Sequence, residues 1–135
     1  MTVHRSKNRA AISMASATAV AVLAATVCAV AHADEESWGA IAVSPDGERV
    51  GVSKDMPDEM TANYAAQYEC RTSYCNVMIS FRYPECGAVV TTEDQYYRDL
   101  GGSQREAEQN AINQSPKLTT KVLRSACNDA PSGRR

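Results

Sequence analysis

Beyond residue 33 the sequence holds no histidine, since His4 and His32 both precede that point. Without an imidazole the later chain cannot assemble a Ser-His-Asp or Cys-His hydrolase. It has no paired Cys-x-x-Cys knuckle of the kind that holds zinc. It has no glycine-rich phosphate cradle and no Ser-x-x-Lys. Ser53 and Lys54 are neighbours, and on a strand they point to opposite faces. Asp46 and Glu48 fall short of the ligand count of a calcium loop. What remains for chemistry is carboxylate. Asp58/Glu59 and Glu106/Glu108 each fall in the first turn of an expected helix, where stabilising the helix dipole accounts for them. No catalytic residue, metal ligand or cofactor is therefore assigned, and the chain is not expected to be an enzyme.

The first 33 residues have the three zones of a secretory signal peptide. His4, Arg5, Lys7 and Arg9 form a basic start, Ala10 to Val30 carry no charge, and Ala31-His32-Ala33 offers small residues to a signal peptidase. The alternative is an uncleaved anchor, because 21 uncharged residues are long enough to span a bilayer. The run is mostly alanine and ends in a good cleavage site, so cleavage before Asp34 is the expectation. Val27 before Cys28 speaks against a lipoprotein signal. Cleavage would leave 102 residues with 11 Lys and Arg against 16 Asp and Glu, a net of −5. An acidic surface excludes nucleic acid and anionic lipid as partners, because both require basic patches. The expected location is secreted or extracytoplasmic, in the cell envelope or outside it, with no membrane span after cleavage.

Losing Cys28 turns five cysteines into four, Cys70, Cys75, Cys86 and Cys127. In an exported chain an even set reads as disulfides, with three connectivities available. Cys70–Cys75 and Cys86–Cys127 are the expected pairs. A four-residue loop folds Cys75 back onto Cys70, and the second bond ties the first strand of the later half to its last.

The same order of elements is expected twice. Trp38–Val43 is a strand, Ser44-Pro45-Asp46-Gly47 a turn, and Arg49–Ser53 the returning strand of a hairpin. Pro57-Asp58-Glu59 opens a helix whose Ala62, Ala65, Ala66 and Cys70 share a face, and Cys75–Phe81 is a third strand. Cys86-Gly87-Ala88-Val89-Val90 then echoes Trp38-Gly39-Ala40-Ile41-Ala42. A strand follows through Tyr96-Tyr97, and Ser103-Gln104-Arg105-Glu106 is a capping box. Ala107, Ala111 and Val122 repeat Ala62, Ala66 and Val77 at an offset of 45. The predicted fold is α+β: two similar ββαβ halves forming one domain over residues 34–127, with both helices packed on one antiparallel-rich sheet, stapled by disulfides. Residues 128–135 are expected to be a disordered tail. The hairpin resembles one from a propeller blade, but a propeller needs at least about four such blades. Asn113-Gln114-Ser115 is formally a glycosylation sequon, weakened by Pro116.

On the first helix Tyr64 and Tyr68 lie one turn apart, opposite the Ala62/Ala66 face. At the same offset the second helix carries Gln109 and Asn113. Two readings of the tyrosines stay open. Either the rings pack over a loop or beneath the acidic N-terminal segment, which is the default, or they form a partner surface.

The Trp-Gly-Ala-Ile-Ala strand, the alanine-faced helix ending at Cys70, the strand after Cys75, Cys86-Gly87-Ala88-Val89, the second alanine-spaced helix and closing Cys127 together resemble a known family. It is the small exported bacterial proteins of domain of unknown function 4189, and the likeness covers residues 38–127. The sequence is less glycine-rich in its second half than that family. The resemblance implies export and disulfides, and it supplies no activity to carry over. The functional expectation is a secreted, non-catalytic binding module, an inhibitor or envelope-associated binder whose partner is a protein or envelope component. The alternatives are an enzyme using carboxylates and tyrosines alone, or a structural envelope component.

Overall fold

The computed structural model describes residues 36–131, so the expected signal peptide and the last four residues lie outside it. Eight elements follow in chain order: β1 (Trp38–Val43), β2 (Val50–Met56), α1 (Glu59–Cys70), β3 (Asn76–Arg82), β4 (Cys86–Thr91), β5 (Tyr96–Gly101), α2 (Gln104–Gln114) and β6 (Lys121–Cys127). Each half is ββαβ, as the repeat predicted. The turn Ser44–Gly47 closes by a Gly47 N–H donating to the Ser44 carbonyl, with Gly47 at φ 73°. Asp58 is the N-cap of α1 rather than a first-turn residue, and Pro57 precedes the helix; the Asp58 carboxylate accepts from the Thr61 N–H at 2.8 Å. Ser103 caps α2, and its Oγ accepts from the Glu106 N–H.

The two helices do not share a sheet. The strands form two three-stranded antiparallel sheets, ordered β2-β1-β3 and β5-β4-β6, each carrying its own helix. Side-chain alternation explains the separation. In β1, Ala40 and Ala42 face α1, whereas Ile41 and Val43 face the other sheet. In β4, Ala88 and Val90 face α2 while Val89 meets Ile41, Val43 and Phe81 in the layer between sheets. A strand buried on both faces needs apolar residues at every position, and both central strands have them. The layers therefore run α1, first sheet, second sheet, α2.

Small residues set the spacing of the layers. A Cβ on Gly51 would lie 1.9 Å from the Ala66 carbonyl oxygen, and one on Gly101 would lie 2.3 Å from the Ala107 nitrogen. The alanine faces of both helices thus come down almost to backbone contact. Ser53, buried beneath α1, accepts from the Ala40 N–H and donates to the Ala62 carbonyl, which satisfies the ladder irregularity between Trp38 and Ala40.

The polar run after Cys127 is part of the fold at its start, which corrects the expectation of a tail from residue 128. Asn128 is 6% exposed. Its amide nitrogen donates to the Ser37 and Phe81 carbonyls at 3.0 and 3.2 Å, and its amide oxygen accepts from the Asp55 N–H at 2.9 Å. Asp55 is left-handed, at φ 56°, and its carboxylate accepts from the Asp129 N–H. The end of the second half is thereby tied to both outer strands of the first.

Candidate interaction surface

The four cysteines lie where the two halves need closure. Cys70, the last residue of α1, bonds Cys75 just before β3, across a Cα separation of 6.3 Å. Arg71 between them turns left-handed at φ 57° and donates its N–H to the Tyr68 carbonyl, capping the helix. Cys86 and Cys127 are direct cross-strand partners in β4 and β6, with Cα atoms 4.2 Å apart. Both bonds match the pairing expected from spacing.

Tyr64 and Tyr68 sit on the outer side of α1, 68% and 85% exposed. Neither is packed under a loop, and cover by residues 34–35 of the acidic N-terminal segment lies outside the described residues. Met60, one turn earlier and 69% exposed, extends the stripe. Sequence reasoning passed over Met60, although its spacing of four from Tyr64 was the available signal. The equivalent positions of α2 are Arg105, Gln109 and Asn113, all exposed and all polar. Gln109 donates to Asn113 at 3.0 Å, so that face satisfies itself. Two helices of one construction thus present opposite outer chemistries.

The flank of α1 towards β3 carries Asn63 and Gln67. Asn63 accepts from the Ser80 hydroxyl at 2.8 Å, and Gln67 donates to the Cys75 carbonyl at 3.2 Å. Above them lies an open hollow of about 580 Å³ lined by Glu59, Met60, Asn63, Tyr64, Gln67 and Val77. In the second half Gln104 and Glu108 both bond Ser125, the counterpart of Ser80.

Of the four carboxylates weighed as acid–base candidates, Asp58, Glu106 and Glu108 have hydrogen-bond partners. Asp58 is held below its ordinary pKa by the backbone and side-chain hydrogen bonds of Thr61. Asp46 is lowered by the Ser44 hydroxyl, then by the Glu48 N–H. Glu106 accepts from the Gly102 N–H, and Glu108 from the Ser125 hydroxyl. A second hollow is lined by Glu36, Ser37, Asp55, Pro57, Asp129, Ala130 and Pro131. Among its acids, Glu36 pairs with Arg82 at 3.0 Å and accepts from the Trp38 indole. Among the described residues no group of three or more His, Cys, Asp or Glu is arranged to hold a metal ion. Lys117 is raised by its hydrogen bond to Asp94 at 2.7 Å.

The profile of a family described as a domain of unknown function, DUF4189, matches residues 38–127, from the first residue of β1 to the last of β6. Among solved structures, the NMR structure of Rv1813c from Mycobacterium tuberculosis is similar, with 28% sequence identity and a TM-score of 0.53. That similarity covers 68% of this chain and 75% of the other. No curated protein matches. The two disulfides fit an oxidising, extracytoplasmic compartment. Among the described residues no helix is long and apolar enough to cross a membrane.

Proposed function

The chain belongs to the DUF4189 family, and from that premise we propose that it is an exported, non-catalytic binding module that engages a protein partner through the outer face of α1. The observation that carries the proposal is the contrast between the helices. Met60, Tyr64 and Tyr68 stand exposed on α1 where α2, built on the same alanine plan, presents Arg105, Gln109 and Asn113. Exposed aromatics one turn apart bring large contact area at low entropic cost, which suits a recognition surface. Two disulfides and a sandwich core supply the rigid support such a surface requires.

Charge narrows the partner. Asp58, Glu59 and Glu69 flank the stripe, and the last turn of α1 has no basic residue. A second copy packed antiparallel about Tyr64 would set Glu59 of one chain beside Glu69 of the other, which is repulsive. A partner with basic residues around an apolar centre meets both features. Export is carried by the N-terminal zones of the sequence and by the disulfide framework.

The test is a Tyr64→Ala/Tyr68→Ala double variant of the mature protein. Both rings are exposed, so the melting temperature should move by less than about 5 °C. Capture of a partner from the secreted and envelope fractions of the producing organism should be lost. A variant that melts as the parent does and still captures the same partner overturns the proposal.

A further inference from the structure

Strand β3 is hydrogen-bonded to β1 on one side only, which leaves its outer edge unpaired among the described residues. Unpaired edges invite another strand, and proteins commonly blunt them with charged side chains. Three of the four edge strands here follow that practice. β2 carries Lys54 and Asp55, β5 carries Arg98 and Asp99, and β6 carries Lys121 and Arg124. β3 reads Asn-Val-Met-Ile-Ser-Phe and meets no charge until Arg82, its last residue. Proline is absent from it as well.

The space beside this edge is open. α1 lies over β2 and β1 and reaches β3 much less, and the hollow between Met60, Tyr64 and Val77 opens between α1 and the start of β3. The corresponding region of the second half is bridged, because Gln104 and Glu108 converge on Ser125 from α2. The first half has its own bridges, Asn63 to Ser80 and Gln67 to the Cys75 carbonyl, and differs in that Glu59, the counterpart of Gln104, makes none, which leaves the Glu59–Met60 end of the hollow unbridged.

We infer that the unguarded edge of β3 and the Met60/Tyr64 wall of α1 together form a groove that takes an extended, basic peptide segment of a partner as an added strand. Main-chain hydrogen bonds to β3 supply affinity, and alternate side chains of the segment reach Met60, Tyr64 and Val77. Glu59 at the rim favours lysine or arginine on the segment, and the acidic balance of the chain disfavours a second copy in the same place. The inference rests on the α1 reading and adds to it the partner's conformation and charge.

The experiment is an amide-resolved NMR titration of the mature, oxidised protein with a short synthetic peptide alternating lysine and valine, blocked at both ends. Shifts should concentrate at residues 76–80 and 59–67. A peptide N-methylated at alternate residues, which cannot donate to the edge, should bind about tenfold more weakly or worse. A glutamate–valine peptide should not bind. Strand addition is overturned by unmoved β3 amides at millimolar peptide, by equal binding of the N-methylated peptide, or by shifts centred on another edge. It is also overturned by β3 shifts that grow with protein concentration in the absence of peptide, since the occupant would then be a second copy. If the tyrosine region responds while β3 stays silent, strand addition fails and the α1 surface stands. Failure of the α1 surface itself is read separately, in the partner capture by the tyrosine double variant.

Discussion

Phe81 is the chain's single phenylalanine, and it occupies the layer between the two sheets at 1% exposure. Glycines from both sheets make room for it. A Cβ on Gly39 would come within 2.5 Å of the ring, and one on Gly87 within 2.6 Å. Gly39 is its cross-strand partner in β1, whereas Gly87 belongs to β4 of the other sheet. The Gly-Ala repeat that marks both halves is therefore also the slot for one aromatic side chain. Phe81→Ala should cost about 3–5 kcal/mol, read as a shift in denaturant midpoint at unchanged slope. Gly39→Ala and Gly87→Ala should each destabilise. Because both methyls press on the same ring, the double variant should cost less than the two single costs combined. Additive costs would show that the ring is not the shared obstacle. Sequence patterning revealed the repeat but not this role, because a glycine's partner across a sheet interface leaves no trace in local periodicity. Asn128 was hidden for a similar reason: a polar residue before Asp-Ala-Pro-Ser-Gly reads as a tail, and its partners, the Ser37 and Phe81 carbonyls and the Asp55 N–H, all lie far away in sequence.

Helices and hairpins were the most legible features. Alanines at helical spacing, the Ser44–Gly47 turn and the Ser103 cap lie where their local chemistry put them, and α1 starts two residues later than Pro57 suggested. The division into two sheets was not extracted, although β1 and β4 carried a signal. Their unbroken apolar runs mean burial on both faces, which a single sheet with helices on one side would not give. The exposure of Tyr64 and Tyr68 needed the structure, since helical phase says which way a residue points and not what covers it. The cap of α1 makes a prediction at this scale. The Thr61 hydrogen bonds hold the Asp58 carboxylate below its ordinary value of 3.8, so the unfolded chain binds that proton more readily than the folded one. The cap's contribution is then fully present above the ordinary value and is lost as pH falls through the lowered one. Asp58→Asn keeps a capping oxygen without the charge. The parent's advantage in melting temperature over this variant should shrink as the pH drops below 3.8. An advantage that stays constant through that range would remove the charge from the account.

At the scale of the whole molecule, the two halves close the same joints by different means. Cys70 and Cys75 correspond, at the offset of 45, to Ser115 and Thr120, and there the Thr120 hydroxyl donates to Ser115 Oγ at 2.9 Å. The second half thus joins helix end to strand start with a hydrogen bond where the first uses a disulfide. The reverse holds at the far ends of the central strands. Cys86 and Cys127 are bonded covalently, while the matching cross-strand pair of the first half is Trp38 and Arg82, with the guanidinium 5.8 Å from the ring centroid. Each non-covalent version shows what the fold accepts in place of a bond. The Cys70–Cys75 bond closes a separation of 5 residues and should contribute about 2 kcal/mol through loop entropy, against about 4 for the 41-residue separation of Cys86–Cys127. Replacing the first bond by the second half's own solution, Cys70→Ser with Cys75→Thr, returns about 1 kcal/mol through the hydrogen bond. The net loss of about 1 kcal/mol predicts a melting temperature lower by about 4–8 °C, with the fold intact. Cys86→Ser with Cys127→Ser has no such substitute, loses about 4 kcal/mol, and should fall by about four times as much. If the first pair proves the costlier to remove, the two joints are not equivalent, and the Cys70–Cys75 bond has a task beyond closing the loop beside Tyr68.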